Sequence, residues 1–407
     1  MSTTTTDHRP RGLIPTALLV TGVGIKRTIS AAALAAGLMV QTQGFAQIAT
    51  NTITGAATNA AATSDSEAAA RENWRQFVAK NPPPDKGCFH VSYPNFDWER
   101  EDCKATQTRV HTMPVRLDEG AAPAVGNGND YVLEALGLIN AASGSFNVNG
   151  VTSEQSVGGI AFGGGAVLGP NEYMLQINTN VSTSAGGGTS PCAGDSSCTV
   201  WQQFVYATDY GTKGEAALFM AYWLLDWGST FNCPKGWTTF PNGDQTDCWK
   251  NSQSKVLPDI PVADLGDVLL TASVTAGGND VLTLFYGDGV HTVSAEDSVL
   301  DISSVWNEAE FNVVGDGDDA EADFNRGSSI LVKLMVADGS TAAPLCRPGS
   351  GTTGETNNLT LGTCQAGLSA NPAHGFIDPY IEFNEYLPQK VTLPSPGPVA
   401  PPVTGHY

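Results

Sequence analysis

Two polar residues far apart in the chain sit in strand-like runs and carry groups that could do acid–base chemistry together. Over residues 308–313, Ala309, Phe311 and Val313 alternate with Glu308, Glu310 and Asn312. Over residues 173–178, Tyr173, Leu175 and Ile177 alternate in the same way with Met174, Gln176 and Asn178. Period-two alternation predicts a strand with one face on a core. If the two strands are neighbours in one sheet, Glu310 and Gln176 meet on the non-core face. A carboxylate there can take a proton from water as general base and return it to a leaving amine as general acid. The Gln amide brings two N–H donors and a carbonyl, enough to orient the water and to stabilise an oxyanion. The plain alternative is two solvated residues on an exposed sheet face.

The elements that would position this pair are predicted strands separated by Gly-, Asn- and Asp-rich turns. They cover 143–148, 172–181, 200–208, 216–227, 268–276, 281–286, 290–293, 308–314 and 328–337. Gly287-Asp288-Gly289 marks a hairpin between two of them. Residues 216–227 are apolar on both faces, so they read as a central strand or as a buried helix. Strands joined by local turns, without βαβ alternation, predict an all-β fold: an antiparallel two-sheet β-sandwich of the concanavalin-like jelly-roll kind, stapled by disulfides.

The rest of the chain sets the surroundings. Lys26-Arg27, an apolar run over 29–40 and Gly44-Phe45-Ala46 read as a signal peptide over 1–46, and the run is too short to span a bilayer. Residues 47–87 read as a linker or pro-segment that ends in a short helix over 71–80. Residues 88–126 read as a disulfide-stapled N-terminal segment, 127–346 as the sandwich, and 347–407 as an extension with a Pro-rich tail. Eight cysteines in an exported chain imply a disulfide framework. Sequential pairing would join Cys88 to Cys103, Cys192 to Cys198, Cys233 to Cys248 and Cys346 to Cys364. A zinc site is the competing use, but no CxxC pair is present. The net charge of −21 argues against nucleic acid and anionic membranes as partners. The expected product is a secreted monomer, extracellular or periplasmic, without metal or cofactor.

Stronger catalytic motifs are missing. The chain has no HExxH, GxSxG or GxxxxGK[ST], and its GSGTTG at 349–354 lacks the flanking strand and helix that a dinucleotide site needs. The acidic run 316–323 reads as a turn rather than a calcium loop, because Glu321 stands where an EF-hand needs Gly.

The order of the motifs resembles that of the eqolisin-type glutamic peptidases, secreted acid endopeptidases built on a β-sandwich. Leu175-Gln176-Ile177 looks like the strand bearing their catalytic Gln, and Ala309-Glu310-Phe311 like the strand bearing their catalytic Glu. The runs 143–148, 201–209 and 266–276 and Ala322-Asp323-Phe324 look like the strands around them, so the resemblance covers about half the chain, 143–337. Phe311 departs from the family's Trp, and Gln202-Gln203 stand where it prefers Tyr and an acid. The chain also resembles, over most of its length, exported bacterial proteins of unknown function with Cys-Phe…Tyr-Pro and Ala-Glu-Phe-Asn motifs. The peptidase resemblance implies Gln176 and Glu310 as catalytic residues, Trp201 and Phe204 as groove walls, and a polypeptide substrate. A non-catalytic sandwich holding an extracellular glycan or peptide is the other expectation. Glycoside hydrolysis would need a second carboxylate, for which Glu308 is placed on the same face.

Overall fold

The computed structural model describes residues 55–106, 130–158, 166–182, 190–192, 197–228, 232–242, 244–317, 320–348, 355–371, 373 and 376–389. The expected leader (1–46), the GSGTTG loop and the Pro-rich tail lie outside these residues.

Strands are numbered along the chain. One sheet of nine strands runs in spatial order β2 (Glu99–Glu101), β1 (Gly87–Ser92), β16 (Gly289–Glu296), β15 (Asn279–Tyr286), β14 (Leu269–Ser273), β5 (Ala141–Asn149), β19 (Ser329–Ala337), β23 (Ile377–Tyr386) and β22 (Thr360–Ala370). A second sheet of ten runs β11 (Thr238–Asn242), β12 (Gln245–Asn251), β10 (Glu215–Gly228), β9 (Thr199–Thr212), β8 (Tyr173–Thr179), β17 (Glu308–Gly315), β4 (Tyr131–Glu134) and β20 (Leu345–Pro348). Its remaining strands are β13 (Gln253–Pro258), which pairs with β10, and β3 (Lys104–Ala105), which pairs with β13. A small third sheet joins β21 (Thr356–Asn357), β18 (Glu321–Phe324), β6 (Glu154–Gly158) and β7 (Ala166–Pro170). The pairings in the two large sheets are antiparallel, and β18 with β21 is parallel.

The two large sheets bury their inner faces in one core. Leu175, Ile177, Phe204 and Tyr206 come from the second sheet, and Leu270, Leu284, Val332 and Leu334 from the first. The alternation read from the sequence at β8 and β17 puts the expected apolar residues in this core. The chain is therefore an antiparallel β-sandwich. The ambiguous run 216–227 is strand β10, and its two apolar faces have separate uses. Leu218, Met220, Tyr222 and Leu224 enter the inter-sheet core, while Phe219 and Trp223 join clusters on the opposite face. A strand with apolar residues on both faces loses its alternation, which is why the pattern could not separate it from a helix.

Three expectations are corrected. The helix expected over 71–80 is the last part of α1, Gly55–Lys80. The Ala-rich stretch before it, read as a linker because it had little to bury, contains the residue type that favours helix most. At its C-terminal end Trp74 and Val78 anchor α1 against Val91, Phe285 and Val290 of the first sheet. The sandwich also does not stop at 346: β22 and β23 complete the first sheet, with Ile381 and Phe383 fully in the core. Nor is the region from residue 88 a separate module, since β1 pairs along its whole length with β16. The cysteines pair sequentially, as Cys88–Cys103, Cys192–Cys198, Cys233–Cys248 and Cys346–Cys364. Among the described residues no helix is long and apolar enough to cross a membrane.

Candidate functional site

Gln176 and Glu310 lie on adjacent strands. In the antiparallel register of β8 and β17, Glu310 pairs with Asn178 and Asn312 pairs with Gln176, which makes Gln176 and Glu310 diagonal neighbours. Residues two apart on a strand share a face, so Gln176, Asn178 and Glu310 all project from the side opposite the inter-sheet core.

The three are joined by hydrogen bonds. Asn178 Nδ2 donates to Gln176 Oε1 and to Glu310 Oε2, each at 3.2 Å. Gln203, on β9, donates a second N–H to Gln176 Oε1 at 3.2 Å. Gln203 is held in turn by Trp223 of β10, whose Nε1 donates to Gln203 Oε1 at 3.1 Å. Two donors on one carbonyl oxygen fix which way the Gln176 amide points. Its Nε2 is left facing the Met174 thioether at 3.9 Å, a weak acceptor. A strong donor pair matched to a weak acceptor suits a group that must bind developing negative charge.

The site is enclosed. Glu310 is 2% exposed, Gln176 3%, Asn178 1% and Gln203 2%. Open cavities of about 610 Å³ and 680 Å³ lie elsewhere. The first is lined by Arg75, Gly266 and Tyr286, the second by Arg100, Lys250 and Gln253.

The other predicted residues divide. Trp201 is on the same face as the dyad, with its ring 6.2 Å from that of Trp223, which is 6.2 Å from Trp249. Its Nε1 donates to the carbonyl of Thr179, which orients the ring along the end of β8. Phe204 is a correction. It points into the inter-sheet core and stacks on Trp306 at 5.8 Å, so it walls no groove on the dyad's face. It is one residue past Gln203, and the pleat turns it to the other side. Glu308 shares the dyad's face but is claimed by Arg347, whose Nη2 contacts Glu308 Oε1 while its Nε lies 2.9 Å from Glu134 Oε2. Burial raises the Glu308 carboxyl above its usual range and Glu134 adds to this, against the lowering effect of Arg347.

Sequence reasoning did not assign a role to Asn178, Gln203 or Trp223. Asn178 was visible in the alternation, on the same face as Gln176. Gln203 was hidden because adjacent glutamines give no sign of which one faces the dyad. Asn312 forms a different network: its Nδ2 donates to Glu385 Oε1 at 3.0 Å, and Asn357 Nδ2 donates to Glu385 Oε2 at 3.2 Å.

No protein family, curated protein or solved structure matches this chain.

Proposed function

We propose that the chain is an exported acid endopeptidase-like hydrolase, on a jelly-roll sandwich of the eqolisin kind, that uses Glu310 and Gln176 on peptide bonds. The observation that carries the reading is the Asn178 bridge, which places a carboxylate and an amide with an underused N–H pair side by side on one sheet face. In the reaction, Glu310 takes a proton from water, whose oxygen attacks the peptide carbonyl. Gln176 Nε2 donates to the resulting oxyanion, and Glu310 returns its proton to the amine as the C–N bond breaks. Trp201 would flank the substrate chain. A polypeptide must reach groups that are 2% and 3% exposed, so the reading includes an uncovering step before catalysis. The glycosidase alternative loses support because Glu308 is engaged by Arg347.

A second reading, a sandwich that binds a glycan or an extended peptide without catalysis, draws on the position of the open cavities away from the dyad. The larger one presents Tyr222, Lys250, Asn251 and Gln253. Hydrolysis of unfolded casein from acid to neutral pH, after acid incubation, separates the two. Acid activity that is absent in Glu310→Gln and strongly reduced in Gln176→Ala is expected. A wild-type chain without activity after that treatment favours the binding reading.

A further inference from the structure

The larger of the two open cavities holds a lysine that no carboxylate claims. Lys250 of β12 pairs directly with Tyr222 of β10. Directly paired residues share a face, and Tyr222 lies in the inter-sheet core, so Lys250 also points between the sheets. Val293 and Ala295 of β16 line the same cavity from the first sheet. Its volume is about 680 Å³, within the range of small-molecule sites, about 300–1,000 Å³. The Lys250 ammonium stands 4.5 Å from the ring centroid of Trp237 and 5.9 Å from that of Tyr222. Ring faces offset the removal of a cation from water only in part, and they leave its three N–H donors without an acceptor. Other cations around the cavity are paired: Lys86 with Glu296 at 2.5 Å, Arg100 with Asp85 at 3.2 Å, and Lys255 with Glu101. Among the described residues none offers Lys250 a carboxylate, although the chain has 41 acids against 20 bases and internal pairing is easy to arrange. Burial pushes the Lys250 ammonium below its usual range, an effect that a bound anion would oppose.

We propose that this cavity binds a sugar acid, a hydroxylated body bearing one carboxylate, and that the carboxylate pairs with Lys250. Charge carries the first half of the assignment. One uncommitted cation matches a single negative charge, and the Asp102 carboxylate on the same wall disfavours a second. The polar lining carries the other half. The Gln253 side-chain amide is unengaged among the described residues and both donates and accepts, as sugar hydroxyls require. Val293 and Ala295 give an apolar surface for the C–H face of a ring. An acidic peptide side chain would bring the carboxylate without the hydroxyls. The proposal rests on the binding reading of the chain and narrows it to one ligand class; it asks nothing of Gln176 and Glu310.

Titration calorimetry of the full chain with glucuronate, glucose, propionate and a short Glu-containing peptide is the test. Glucose lacks the carboxylate and propionate lacks the hydroxyls, so each removes one half of the proposed recognition. Glucuronate should bind at least about tenfold more tightly than any of the other three, and Lys250→Gln should weaken it at least about tenfold, the loss expected of one charge-assisted hydrogen bond. Lys213→Gln, at an exposed lysine outside the cavity, should leave it unchanged. Glucose or the peptide bound as tightly as glucuronate would overturn the proposal and leave the broader binding reading standing. Propionate bound as tightly, or a Lys250→Gln chain that keeps wild-type affinity, would overturn it too. No binding of any of the four would end both. Should Lys250→Gln not fold, NMR of the lysine ammonium groups in the wild type decides the matter. Glucuronate is expected to shift the Lys250 resonance, and an unmoved resonance would overturn the assignment.

Discussion

Gly144 brings the backbone of β5 close against Phe311 of β17, and Gly144→Ala tests whether that closeness sets the stability of the sandwich. Gly144 is central in β5, paired with Leu270 of β14 on one side and with Leu334 of β19 on the other. An added Cβ would meet Cγ, Cδ1 and Cδ2 of Phe311 well inside the 3.0 Å that real Cβ atoms keep. Neither partner can retreat easily. β5 is held by two neighbouring strands, and Phe311 is wedged between Phe146, at 4.7 Å, and its own paired strand β8. Overpacking of this kind costs about 1–3 kcal/mol. Replacing Gly in a strand returns about 0.5–1 kcal/mol of backbone entropy. With three ring atoms in the way the steric term should win, for a net loss of about 1–2.5 kcal/mol.

Urea unfolding of Gly144→Ala, Phe311→Ala and the double variant measures this as a cycle. Ala removes the Cγ and both Cδ atoms that the methyl group would meet, so the double variant should be more stable than the sum of the single losses by about 1 kcal/mol or more. A Gly144→Ala chain as stable as the wild type would refute the reasoning, and so would additivity within about 0.5 kcal/mol. The same contact accounts for Phe at 311: with Gly144 opposite, the ring fills the space between the sheets.

Three further outcomes are expected. Burial outweighs the two Asn donors and pushes the Glu385 carboxyl up from 4.5 to about 8. Folding therefore takes up a proton there, and the stability it contributes is complete below pH 4.5 and is lost as pH rises to about 8. The thermal midpoint of the wild type should fall relative to Glu385→Gln across that window; parallel pH profiles would contradict the assignment. Asn178→Ala removes a donor from both Gln176 and Glu310, and should cost about 1–3 kcal/mol in urea unfolding, against less than about 0.5 kcal/mol if the bridge contributes nothing. Replacing Cys88 and Cys103 together by Ala opens a loop of sequence separation 15 and should lower stability by about 3 kcal/mol, with an unchanged urea midpoint as the contrary result.

The parts of the fold that were legible in the sequence are those where one face alone is apolar, even though both faces are buried. β8 and β17 alternate because each has a greasy core side and a polar far side, so Gln176 and Glu310 could be assigned a face from the pattern. Their adjacency was not legible, because nothing local says that β8 pairs with β17 more than a hundred residues later. β10 shows the opposite failure: apolar clusters on both its faces erased the period. The short helix over 71–80 was read from its own apolar stripe, but how far it reached back was not. The early Ala-rich residues announce themselves by propensity rather than by periodicity.

The least legible feature is where the acidity resides. A net charge of −21 suggests a negative surface, yet several carboxyls sit in the interior with their titration moved toward neutral pH or beyond. Glu385 is held at about 8 and Glu154 at about 9, and Asp280 is raised well above its usual range, in each case with burial as the largest cause. A raised carboxyl makes the folded state bind a proton that the unfolded chain has released, so all three act in the same direction, toward greater stability in acid. No composition count can show this, because the count does not distinguish a carboxylate in water from one between two sheets. Greater stability in acid thus has a basis in the core that is separate from any activity. That basis would hold even if Glu310 and Gln176 never met a substrate.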